Sequence, residues 1–160
     1  MAGAAVCLSA SAQAQCVPNN FPANWLQQQD NAGGHTIARH VNQSDQLLTT
    51  RLANFPHIPA AGSYPALVAT AQATITAGLT SNAGAINNWA NHAANGARQV
   101  YDYASAANIG RVATRNAPPP PAAIVSNTCT FRVVLHALGG GACYLLTSYP
   151  TPAAPADNCP

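Results

Sequence analysis

The sequence predicts an α+β domain in which helices lead into an antiparallel sheet. Three observations carry this. Between Asn24 and Ala94 apolar residues recur at helical spacing, whereas from Ala97 onward the segments alternate or carry β-formers. The triple glycine Gly139-Gly140-Gly141 then separates two strand-like runs, the signature of a hairpin.

The elements follow in order. After an irregular entry with Pro18 and Pro22, Asn24–Gln29 fits a short helix that ends at the Gly33-Gly34 break. His35–Val41 is a second short helical segment, with Ile37 and Val41 on one face. Ser44-Asp45 forms a good N-cap for a helix to about Asn54, with Leu47, Leu48 and Leu52 as its apolar stripe. Pro65 suits the first turn of a helix running to about Leu79. Another spans about Ala83–Ala94, with Ile86, Trp89 and Ala90 inward. Arg98–Tyr103 and Arg111–Arg115 read as extended, and the proline-rich stretch Asn116–Pro121 as a linker loop. Phe131–Leu135 and Cys143–Ser148 are the hairpin strands.

A length of 160 residues suits one domain with a real core. We assign residues 1–14 to a signal peptide, 15–150 to the folded domain and 151–160 to a Pro/Ala-rich tail pinned by Cys159. Ala12-Gln13-Ala14 is a signal-peptidase pattern, although the stretch before it is short and lacks Lys or Arg. The expected location is therefore extracellular or periplasmic. Removing that leader leaves Cys16, Cys129, Cys143 and Cys159, an even set that points to two disulfides. Three pairings are open. A turn at the triple glycine sets Cys143 opposite Ala137 rather than Cys129, so bridges from Cys16 and Cys159 onto the sheet are expected. No run reaches the ~20 apolar residues of a membrane span.

The charges are few: six arginines, four aspartates, no lysine and no glutamate, for a net charge of +2. That excludes a broad nucleic-acid-coating surface and puts any anion binding on individual arginines or backbone amides. His35 and His40 are the natural acid–base candidates. On a regular helix, residues five apart point about 140° away from each other. Both can face one site only if the helix begins after His35. Arg39 can share a face with His35, and Arg51 on the next helix can approach His40. Thr147 and Tyr149 fall on one strand face, as do Arg132, Val134 and His136 on the presumed partner. Arg132 and Arg39 are candidate phosphate ligands. No C-x-x-C or paired-His spacing suggests a metal, and His57 and His92 read as incidental.

Taken together, four motifs resemble the bacterial ribonuclease A-like toxin domain found at the C-termini of contact-dependent inhibition and other polymorphic toxins. They are Gly33-Gly34-His35-Thr36-Ile37-x-Arg39-His40-Val41, Ser44-Asp45-x-x-Leu48-x-x-Arg51-Leu52, Asn108-Ile109-Gly110-Arg111-Val112 and Leu146-Thr147-x-Tyr149-Pro150. The resemblance runs from about Asn24 to Pro150. It implies a kinked antiparallel sheet with N-terminal helices and a ribonuclease without metal or other cofactor. The implied catalytic set is a histidine, an arginine, a threonine and a tyrosine. The last two map onto Thr147 and Tyr149. The arginine maps best onto Arg51, with Arg39 as fallback, and the histidine onto His40 by its spacing to Arg51, with His35 second. RNA is the implied substrate, a cognate immunity protein a possible partner, and a monomer the expected state. A non-catalytic RNA- or protein-binding domain on the same fold is the second reading.

Overall fold

The computed structural model describes residues 15–115, 123–154 and 159. The leader assigned to residues 1–14 and the linker at Asn116–Pro121 lie outside them. Among the described residues, five helices and six strands follow the order α1 (Trp25–Asn31), α2 (Thr36–His40), α3 (Asp45–Asn54), β1 (Ala60–Ser63), α4 (Val68–Ser81), α5 (Ala83–His92), β2 (Arg98–Ala104), β3 (Gly110–Arg115), β4 (Ala123–Thr128), β5 (Thr130–Gly139) and β6 (Ala142–Thr151). The strands form two antiparallel sheets, ordered β1-β3-β4 and β2-β5-β6.

The α+β class stands, with three corrections of detail. A strand, β1, interrupts the helices; its Ala-Ala-Gly-Ser sequence carries no β-former and is extended because it pairs with β3. The helix expected from Pro65 begins at Val68. Tyr64 is held in extended backbone by Val41, its N–H donating to the His40 carbonyl at 2.8 Å. Leu47, expected inward, is 54 % exposed; Leu48 and Leu52 alone carry the buried stripe of α3.

The main core lies between one face of the β2-β5-β6 sheet and the helices α1, α4 and α5. Leu26, Ile75, Leu79 and Ile86 pack there with Phe131, Val133, Leu135 and Leu145. A smaller core seats Leu48 and Leu52 of α3 on Ala61 and Ala113 of the other sheet. Two disulfides tie the ends down: Cys16 to Cys143 and Cys129 to Cys159. Both run from a terminal segment onto the sheet, and Cys143 does sit opposite Ala137. They close loops with sequence separations of 127 and 30 residues, which restricts the unfolded chain most for the longer.

The sheets meet where β1 crosses β6. At Gly62 a Cβ would run into the Pro150 carbonyl, so only glycine allows this approach. A cleft of about 790 Å³ opens beside the crossing, between α2, α3, β1 and the outer face of the larger sheet.

Candidate active site

Each wall of the cleft is built by a local device. The α1–α2 turn is fastened to the free edge of β6. The Leu145 N–H donates to Gln29 Oε1 at 2.9 Å, the His35 N–H to the Leu146 carbonyl at 3.0 Å, and the Ser148 N–H to Thr36 Oγ1 at 2.9 Å. Asp30 caps α2 from outside, its carboxylate accepting the N–H groups of Thr36 and Ile37 at 2.9 Å each. The helix therefore begins after His35, which occupies the N-cap position. This resolves the opposed directions expected of a regular helix. His35 and His40 both line the cleft, with ring centroids 6.3 Å apart.

His40 is buried and its Nδ1 lies 3.1 Å from the Gly62 carbonyl. A carbonyl only accepts, so Nδ1 carries the proton and Nε2 is left as the lone-pair nitrogen. Burial pushes the His40 pKa down to about 4; the Gly62 bond opposes that shift, and Arg51, His35 and Arg39 reinforce it. The ring is thus a neutral base at ordinary pH. His35 is also lowered, first by burial and then by Arg39. Tyr149 packs on His40 with ring centroids 5.1 Å apart.

Arg51 enters from α3, a helix held at both ends. Ser44 Oγ accepts the Leu47 N–H at 3.2 Å, and Asp45 binds Arg111 of β3, with Nε at 2.9 Å. At the other end Arg115 donates to the carbonyls of Leu52, Phe55 and Ile58. Arg51 itself is half-buried in the cleft and has no hydrogen-bond or ion-pair partner among the described residues. Burial and the nearby Arg39 lower its pKa, the mark of a guanidinium without a counter-charge.

On the larger sheet, register builds a grid. Asp102, Arg132 and Tyr149 stand directly opposite one another on β2, β5 and β6; Val100, Val134 and Thr147 form the next rung; Arg98, His136 and Tyr144 the third. Directly opposed residues share a face. A bulge on β6 leaves Leu146 as the extra residue between Thr147 and Leu145. It brings Tyr144, not Leu145, onto the face of Thr147 and Tyr149. The bulged residue's carbonyl is also the one that seats His35.

Thr147 is 8 % exposed and its Oγ1 is buried without a partner, while the side chain lines the cleft. An unsatisfied buried hydroxyl costs about 1–3 kcal/mol. Arg132, expected as a phosphate ligand, lines the cleft too, but its charge is committed. It donates to Asp102 from Nε at 2.6 Å and from Nη2 at 2.8 Å, and Tyr149 is an electrostatic neighbour of the same guanidinium. Arg39 is exposed and does not line the cleft; it acts on both histidines through space. Sequence reasoning missed Asp102 and the Gly62 carbonyl. Only the strand register and the Gly62–Pro150 approach reveal them. Among the described residues no cluster of three or more His, Cys, Asp or Glu side chains is placed to hold a metal ion, and no helix is long and apolar enough to cross a membrane.

The family model for the bacterial CdiA-CT RNAse A domain matches residues 34–150, which includes His35, His40, Arg51, Thr147 and Tyr149. The chain belongs to that family. It is therefore a toxin ribonuclease domain of the contact-dependent inhibition class. A solved structure agrees: the crystal structure of a CdiA-CT/CdiI complex from Y. kristensenii 33638 contains a chain 26% identical, with a TM-score of 0.61, covering 74% of this chain and 100% of that one. No curated protein matches.

Proposed function

We propose that this domain is a metal-independent endoribonuclease that cleaves RNA by attack of the 2′-hydroxyl on the adjacent phosphorus. One observation carries the reading: a neutral imidazole with a free Nε2, an unpaired guanidinium and an unsatisfied hydroxyl meet in one cleft beside a phenol. His40 takes the proton from the 2′-oxygen. That oxygen bonds to phosphorus as the bond to the 5′-oxygen breaks, leaving a 2′,3′-cyclic phosphate and a free 5′-hydroxyl end. Charge gathers on the non-bridging oxygens, where Arg51 and Thr147 Oγ1 donate. Tyr149, opposite the Arg132–Asp102 pair on the sheet, orients the phosphate and donates toward the departing oxygen. His35 stands beside His40 as the second imidazole.

The two disulfides fit an oxidising compartment, and with the leader pattern they support export as an effector. The similar CdiA-CT chain was crystallised with CdiI, which supports a cognate immunity partner for this domain. The test is cleavage of a defined RNA by oxidised protein in EDTA, with analysis of the product ends. The expected result is cyclic-phosphate termini and a His40→Ala protein at least roughly 10²-fold slower. RNA left intact but bound would turn the reading toward a non-catalytic binding domain.

A further inference from the structure

The third rung of the sheet grid has no role in the chemistry above, yet it is built for contact. His136 and Tyr144 stack there with ring centroids 4.9 Å apart and planes inclined by 29°. Beside them Val100 lies 45 % exposed on the sheet face, an apolar side chain left open between charged rungs. Arg98, opposite His136, is exposed and has no partner among the described residues. His136 Nδ1 is buried and unsatisfied. The backbone borders the rung at Gly33, which has φ +118° and where a Cβ would lie 3.3 Å from the Tyr144 hydroxyl. Any larger residue would be strained and would crowd the ring.

The rung is continuous with the cleft, since Val134 and Thr147 pair between it and Tyr149. Aromatic rings on an open sheet face are the usual platform for unstacked bases, and a free guanidinium beside them complements a phosphate. We propose that the Arg98–His136–Tyr144 rung is a nucleotide subsite: the rings, with Val100, stack a base beyond the two that flank the scissile phosphate, and Arg98 holds a phosphate of the same strand. This rests on the ribonuclease reading of the cleft, so its test is read by binding as well as by cleavage.

The probes are a labelled tetranucleotide and a dinucleotide of the same sequence, both with 2′-deoxy sugar at the scissile position. Fluorescence anisotropy measures their affinity for the oxidised full chain; the all-ribose versions give kcat/KM. Tyr144→Ala should weaken the tetranucleotide roughly five- to hundredfold more than the dinucleotide. The cleavage ratio between the two substrates should fall in parallel. Tyr144→Phe, which keeps the ring, should restore both, and Arg98→Gln should reduce the slope of log affinity against log salt by about 0.7. Equal losses on both probes, or no loss, would overturn the subsite. Tetranucleotide binding that depends on Tyr144 without any cleavage would sustain the subsite and sink the ribonuclease reading instead.

Discussion

The two sheets use the same kinds of residue to opposite ends. In the smaller one both arginines are fully engaged: Arg111 with Asp45 and Asn127, and Arg115 with three carbonyls around the end of α3. Its apolar residues are filled by Leu48 and Leu52. Across the cleft, the larger sheet and α2 leave groups unsatisfied: Thr147 Oγ1, His136 Nδ1 and the lone-pair nitrogen of His40. Arg51 belongs to the first region structurally and to the second chemically. The lesson is that a charge is a scaffold element where its partners are present and a site element where they are missing. The smaller sheet serves the site by holding α3 at both ends so that an unpaired arginine can be presented.

The sharpest way to break this contrast is to truncate one arginine of each kind. Arg51→Ala should lower kcat/KM on RNA roughly 10²–10³-fold while leaving the urea midpoint almost unchanged. Arg51→Ala protein that cleaves normally would remove the distinction. A second test uses pH. The folded-state pKa of His40 is depressed to about 4, so the unfolded chain binds its proton first. Stability is then complete above about 6.5 and falls as pH drops from there toward 4, by on the order of 3 kcal/mol for this one group. Urea midpoints between pH 4 and 7 should show the slope, and His40→Gln should flatten it. The smallest effect belongs to the scaffold arginine. Arg115→Ala should cost about 1–2 kcal/mol in stability, with kcat/KM at low temperature kept within roughly tenfold. A larger catalytic than thermodynamic loss there would place Arg115 in the site.

Much of this architecture was legible in the sequence where the determinants are local. The Ser44 cap, the hairpin at the triple glycine and the Cys143–Ala137 register follow from residues a few positions apart. What escaped depends on distant partners. β1 has no strand propensity and exists through β3. The N-cap conformation of His35 comes from Asp30, whose carboxylate holds the α2 amides, and from a bulge 111 positions away at Leu146, whose carbonyl takes the His35 N–H. The candidate site was readable as a list, His35, His40, Arg51, Thr147 and Tyr149, because those residue types stand in motifs. Arg132 was readable beside them as a candidate phosphate ligand, and only the register of β2 shows Asp102 pairing with it.

The claim that unsatisfied groups mark the chemistry is tested most directly at Thr147. In Thr147→Val the orphaned hydroxyl is replaced by a methyl of similar size, and the measurement is the thermal midpoint together with kcat/KM on a defined RNA. The expected midpoint equals or exceeds that of the unsubstituted protein, with cleavage roughly 10²-fold slower. A destabilised protein that cleaves RNA at the original rate would contradict it.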